Sequence, residues 1–277
     1  MKEKLIKEKQ DMTYLSWSIY RSSSGTAGSF LKAYSELGGS KIYYKLSNFD
    51  SINGIIGHEC VNELIVDRLL TILGVPHLSY QLIKADILVD GNQHEVYLCA
   101  SEDFKQSGET KTALDTYWEA ERLEGENSLA FCVRNGWGDY IYQMMVVDYL
   151  ILNRDRHGAN IEVLRNSREK TIHLAPLFDH GLSLLCRCFT DEEVEAYDIM
   201  KDTKCHNFIG SKSTWENLNL IPVDKLPVFN PLKKEDKNVL LDGLEDVISA
   251  PLRDKIWDMI WERWCTYEDF CNSRRNI

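Results

Sequence analysis

The stretch LILNRDRHGAN, residues 150–160, ends an apolar run in a dense polar cluster, with Asp155, Arg156, His157 and Asn160 close together. A loop mounted on an apolar helix keeps such side chains accessible while the helix fixes their place. Asp155 and Asn160 are spaced as D-x-x-x-x-N, and Asp179 follows further on, within DHG (179–181). A carboxylate that accepts a hydroxyl proton, with an amide oxygen and a second carboxylate to hold Mg²⁺ on ATP phosphates, is what phosphoryl transfer requires. On this reading Asp155 is the base, and Asn160 and Asp179 are the metal ligands.

Catalytic loops of protein kinases carry the same spacing and are followed by D-x-G. Upstream residues supply the remaining parts in the matching order. Gly25 and Gly28 fall in the small-residue loop SSSGTAGSF (22–30), where bare backbone can approach phosphates. Lys45 falls on the strand-like KIYYKLS (41–47) and is placed to pair with phosphate. Glu63, on the next helix, is placed to fix Lys45; Glu59, one turn earlier, competes for that role. Taken singly, the glycines also fit an ordinary hairpin loop and Lys45 a solvated strand residue.

The texture of the chain changes near residue 104. Before it, YLSWSIYRS (14–22), FLKAY (30–34), KIYYKLS, HLSYQLIKADILV (77–89) and HEVYLCA (94–100) read as strands, the last two around an Asp90-Gly91 turn. Residues 57–74 read as a helix: Leu64, Ile65, Leu69 and Ile72 keep the 3.6-residue period and Gly74 stops it. After it, helices are expected over about 110–124, 127–134, 138–152 and 252–270. The last has a core stripe of Ile256, Met259, Ile260 and Trp264. Residues 170–179 read as a short strand running into a Pro-bearing turn. Residues 186–232 give no clear pattern, and the prolines of IPVDKLPVFNP (221–231) favour extended chain there. The expected architecture is α+β and two-lobed, with a small β-rich N-lobe (1–104) and a mostly helical C-lobe (105–277).

VNELIVDRLLTILGVP (61–76), SEDF (101–104), NRDRHGAN (153–160) and LAPLFD (174–179) together resemble the HipA-like serine/threonine kinases. That family has a kinase fold related to the phosphatidylinositol kinases. The resemblance spans roughly residues 20–185, and DRHGAN with LAPLFD is its most specific part. It implies an ATP- and Mg²⁺-dependent kinase acting on a Ser or Thr of a protein. Asp155 and Lys45 are then the catalytic pair, and Glu102 lies where the hinge holds adenine. His157 organises the catalytic loop. The resemblance also implies a substrate in translation and an antitoxin partner, as well as autophosphorylation among Ser22, Ser23, Ser24, Thr26 and Ser29 of the phosphate loop. Two departures stand out. Arg154 directly precedes the base, and the extra N-terminal domain of full-length HipA toxins has no counterpart in the sequence.

Composition narrows the alternatives. A formal charge of −11 over 277 residues argues against a broad nucleic-acid footprint. No apolar run is long enough for a membrane span. MKEKLIKEKQDMTY has no apolar core to serve as a signal peptide, so it reads as a disordered start or as first helical turns. The eight cysteines form no C-x-x-C pair, as expected of reduced thiols in a cytoplasmic protein. Asp155, His157, Asp179 and His180 are also a ligand inventory for a divalent-metal phosphoesterase. A non-catalytic nucleotide-binding module is the third reading.

Overall fold

A computed structural model describes residues 3–18, 30–37, 40–50 and 54–275. Its N-terminal part is a five-stranded sheet of order β1-β6-β7-β3-β2. The strands are β1 (Leu5–Asp11), β2 (Lys32–Leu37), β3 (Ser40–Leu46), β6 (Gln81–Val89) and β7 (Asn92–Glu102). β1 runs parallel to β6, and the other pairs are antiparallel. The two-residue strands β4 (Phe49–Asp50) and β5 (Gly54–Ile55) form a small separate ladder.

The strand at Leu5–Asp11 corrects the expectation of disorder or helix at the N-terminus. Leu5 is buried against the core, and Lys4 forms an ion pair with the buried Asp67. The remaining charges of LIKEKQD lie along a sheet edge, where lysines discourage further pairing. The expected strand at 14–22 is also corrected over its described part. Asp11 Oδ1 accepts from both the backbone N–H and the hydroxyl of Thr13, and this turn ends β1. Beyond it only Ser18 pairs, as a single bridge to Lys32.

Helix α1 (Glu59–Leu73) is buried on nearly every face between the sheet and the helices that follow. Gly74 ends it in the left-handed region (φ +74°), and the Val75 N–H reaches back to the Leu70 carbonyl at 2.9 Å. Asp67 bonds His77 Nε2 at 3.2 Å and the Tyr80 N–H at 3.1 Å, fixing the chain's turn into β6.

A third correction concerns 110–124. Residues Glu109–Ala113 form β8, and the helix α2 (Leu114–Glu121) starts only afterwards. The β-branched Thr110 and Thr112 suit a strand, and β8 finds a partner in β10 (Glu162–Asn166). β10 also pairs with β11 (Thr171–Leu174), giving a three-stranded sheet. The helical remainder is built on α3 (Ser128–Arg134), α4 (Gly138–Leu150) and the long α8 (Ala250–Arg275), whose expected stripe is buried. Between Cys186 and Leu232 the chain is mostly irregular, broken by α5 (Asp191–Ala196) and α6 (Thr214–Leu218), and the short α7 (Asp236–Leu240) follows before α8. All eight cysteines are free thiols. Among the described residues, no helix is long and apolar enough to cross a membrane. The whole is an α+β fold, β-rich at its N-terminal end and helical towards its C-terminus.

Candidate active site

Three elements converge on Lys45. The residue sits on β3, paired with Lys32 on one side and Cys99 on the other. Its ammonium lies 3.4 Å from Glu63 Oε1 on α1 and 2.6 Å from Asp179 Oδ1. Burial would strip the proton from this lysine, but the carboxylates of Asp179 and Glu63 outweigh it and hold the ammonium charged, well above its ordinary range. Glu63 is fully buried, and its other oxygen accepts the His180 N–H at 2.9 Å. Glu59 is occupied elsewhere, accepting the Asn48 N–H at 3.0 Å. Of the two competing glutamates, Glu63 is therefore the one that meets Lys45.

The same face of α1 holds the loop after Asp179. Asn62 donates to the carbonyls of Gly181 and Ser183 at 3.0 and 3.1 Å. Gly181 suits this close approach, because a Cβ there would stand 3.1 Å from Glu59 Cβ, tighter than an ordinary contact. Asp179 itself lies in the left-handed region (φ +56°), which Asp tolerates better than most residues, and its N–H donates to Tyr80 Oη at 3.2 Å.

The loop of NRDRHGAN is set by the end of α4. Asn153 donates from its side chain to Asp148 Oδ1 at 2.9 Å and accepts the Asp155 N–H at 3.2 Å. Arg156 is 1% exposed and spends its guanidinium inside the fold. It clasps Asp148 through Nε and Nη2, and its Nη1 donates to the carbonyls of Asn160 (3.2 Å) and Phe178 (2.8 Å). One nitrogen thereby ties the D-x-x-x-x-N loop to the segment that presents Asp179. Two further bonds stitch the loops together: Arg154 N–H to Leu182 O at 2.9 Å, and Leu184 N–H to Ile151 O at 2.6 Å. Gly158 leaves room for α2, since a Cβ there would lie 2.4 Å from Asp115 Cβ.

Asp155 is partly exposed, with Oδ2 3.7 Å from His157 Nε2 and Oδ1 3.3 Å from His206 Nδ1. Asn160 donates to the Asp155 carbonyl at 2.8 Å, and its Oδ1 is buried without a hydrogen-bond partner among the described residues. A buried amide oxygen left in this state is costly unless a ligand fills its lone pairs. Among the described residues, no three His, Cys, Asp or Glu side chains converge as a metal-ligand cluster. The phosphoesterase inventory is divided: Asp155 and His157 face His206, whereas Asp179 and His180 are engaged by Lys45 and Glu63.

The expected phosphate-loop residues Gly25, Thr26 and Gly28 lie outside the described residues. The described chain resumes at Phe30, whose ring centroid is 5.0 Å from Lys45 Nζ. Glu102 is exposed at the end of β7, opposite Ile42. Sequence reasoning missed Asp148, Asn153, Asn62 and His206. Asn62 finds its partners in a loop far along the chain, whereas Asp148 and Asn153 pair across the turn that follows α4, whose geometry no local pattern announces. His206 is delivered by β12 (His206–Asn207), a two-residue parallel partner of β9 (Asp155–Arg156), from a segment without legible periodicity.

In fold the chain is similar to the Helicobacter pylori proinflammatory kinase CtkA. The match has a TM-score of 0.63 at 17% identity, covering 95% of this chain and 96% of that one. HipA of Shewanella oneidensis MR-1, solved with HipB and operator DNA, matches at a TM-score of 0.48 and 12% identity, covering 91% of this chain and 67% of that one. A golgi casein kinase matches at 0.40 and 10%, covering 88% and 70%. The latter two likenesses are too loose to define the fold. No protein-family model and no curated protein matches the sequence. The fold is kinase-like.

Proposed function

We propose that the chain is an ATP- and Mg²⁺-dependent kinase that transfers the γ-phosphoryl group to a Ser or Thr hydroxyl of a protein. The observation that carries this reading is the convergence of β3, α1 and the 179–183 loop on Lys45, held charged between Glu63 and Asp179. That arrangement presents a fixed cation to phosphate, and charge-assisted contacts of this kind are the strong ones.

The donor set fits Mg²⁺, which takes hard oxygen ligands. Asn160 offers a buried amide oxygen with no partner among the described residues, and Asp179 a carboxylate. Bound there, the ion would neutralise charge on the phosphates. Asp155 is the group that accepts the acceptor hydroxyl's proton, on a carboxylate oxygen. Its backbone is fixed by Asn153, so little reorganisation accompanies the transfer. Lys45 orients the phosphates. Glu102, at the end of β7, is on this reading the residue at the adenine edge, and His157 orders the loop around Asp155. Nucleotide then lies between a β-rich lobe ending near residue 104 and a helical lobe after it. The sequence motifs favour a HipA-like kinase, with self-modification among Ser22, Ser23, Ser24, Thr26 and Ser29, a substrate in translation and an antitoxin partner.

The test is equilibrium binding of ATP with and without Mg²⁺, joined to phosphoproteomics after controlled expression of the chain and of its Asp155→Asn form. Mg²⁺-dependent binding, with new phosphoserine or phosphothreonine sites only for the unaltered chain, is expected. A protein that binds no nucleotide in either condition refutes the reading.

A further inference from the structure

Immediately beside Asp155 lies a pocket of about 280 Å³ lined by Arg154, Arg187, Lys204, Cys205, His206 and Lys212. The concentration of cations is unexpected in a chain of formal charge −11. Among the described residues, no carboxylate lines the pocket. Burial pushes the Cys205 thiol up to about 11, so it adds no negative charge at neutral pH. Among the described residues, none of the four lysines and arginines pairs with a carboxylate.

The pocket is built rather than incidental. Arg154 is held on both sides by backbone bonds, its N–H to Leu182 O at 2.9 Å and its carbonyl to the His206 N–H at 2.8 Å. Its Nε is buried and has no acceptor among the described residues. Arg154 as a whole is half-buried, and a buried, unsatisfied Nε donor on a backbone-anchored arginine is a cost that an anionic ligand would reduce. The Cys205 N–H bonds the Lys212 carbonyl at 2.7 Å, which brings Lys204 and Lys212 onto adjacent chains at the rim. His206 belongs both to this lining and to Asp155, 3.3 Å from its Oδ1.

We infer that this pocket recognises an anionic side chain, carboxylate or phosphate, on the polypeptide that presents its hydroxyl to Asp155. The inference rests on the kinase reading for its orientation, since it makes the pocket part of the acceptor site. A single acidic residue fits better than a nucleic acid, because a long polyanion would extend past the pocket over a protein of formal charge −11. The guanidinium and ammonium groups suit carboxylate and phosphate alike, Arg by a planar fork and Lys as a point charge.

The test uses the full chain and three fluorescent peptides, identical around one serine except for a neighbouring glutamate, phosphoserine or glutamine. Binding is read by fluorescence polarisation, and Mg²⁺·ATP binding is measured on the same preparation. The glutamate and phosphoserine peptides should bind at least about tenfold more tightly than the glutamine peptide, as expected for charge-assisted contacts. The relative affinity of the two distinguishes carboxylate from phosphate as the preferred group. In a Lys204→Glu, Lys212→Glu variant the preference should vanish while Mg²⁺·ATP binding stays unchanged. Equal binding of the three peptides overturns the inference, as does a preference that survives charge reversal. So does selective capture of a single-stranded oligonucleotide in place of the acidic peptides. Loss of nucleotide binding by the unaltered chain would instead refute the kinase reading, and the peptide comparison would still decide the pocket.

Discussion

Two ion clusters lie within about one loop of each other, and they are finished differently. Around Arg156 every charge is answered inside the protein: Asp148 takes Nε and Nη2, and backbone carbonyls take Nη1. Around Lys45 one ammonium faces two carboxylates and the cluster is partly open, with the lysine side chain 13% and the Asp179 side chain 22% exposed. Nearby, Asn160 keeps an oxygen unanswered among the described residues. A fully answered cluster fixes loop geometry. A partly answered one retains capacity for a ligand. The contrast separates the residues that build the site from those that would act in it.

The sharpest way to break that contrast is Arg156→Met. It leaves the buried Asp148 without its cation, held by the Asn153 amide, and frees two carbonyls that hold the loops together. Removing one partner of a buried pair costs about 3–5 kcal/mol. Urea unfolding should register a loss of that size, and a loss below about 1 kcal/mol would mean that the cluster is not what fixes the loops.

Asp155→Asn should do the opposite, leaving urea stability near that of the unaltered chain. The proton acceptor is lost, and general-base assistance is worth roughly 10²–10⁴ in rate. Phosphoryl transfer should fall by at least about 100-fold while Mg²⁺·ATP still binds. Activity retained within about threefold would remove Asp155 from the role of base.

Lys45→Met should weaken ATP binding about tenfold or more and leave adenosine binding nearly unchanged, because the partner lost is phosphate. Calorimetric titration of both ligands decides it. Equal weakening would move Lys45 to the structural side of the comparison.

The reach of the sequence followed the same division. That Lys45, Glu63 and Asp179 meet, and that Asp155 and Asn160 share one loop, was legible because the order and spacing of these residues along the chain are informative. The packing of α1 and α8 was legible from helical periodicity. Arg156 stood in the quoted stretch, but nothing local says that its guanidinium turns inward to Asp148. That depends on the end of α4 and on the Phe178 carbonyl, which the fold alone brings together. The choice between Glu59 and Glu63 also needed the fold, because both face the sheet and only the Asn48 N–H commits Glu59. At the N-terminus, composition suggested disorder, but the Lys4–Asp67 pair and the open edge of β6 make a strand. His206 had no signal, since a two-residue parallel bridge leaves no pattern in a sequence.

The smallest effect belongs to His58, at the start of α1, where the helix meets the loop after Asp179. Its ring is buried and bonds the Leu185 backbone, and Nε2 has no partner among the described residues. Burial lowers its pKa from 6.5 to about 4. The folded protein therefore keeps His58 neutral while the unfolded chain takes up a proton as pH falls below 6.5. A depressed folded pKa contributes stability above the unfolded value, and that stability is lost progressively as pH drops towards 4. Between pH 7 and 5.5 the loss attributable to His58 should be about 1 kcal/mol. His180, also buried with its pKa lowered, contributes in the same direction, so the total slope belongs to both. The difference between the unaltered chain and His58→Gln isolates one of them. Urea midpoints of the two proteins should converge as pH falls, because the variant lacks the proton uptake that penalises the native state. Parallel curves would mean that His58 titrates alike in both states and that the junction of α1 with the 179–185 loop is open to water. The site's open cluster would then extend one turn further along α1 than the comparison of Lys45 with Arg156 places it.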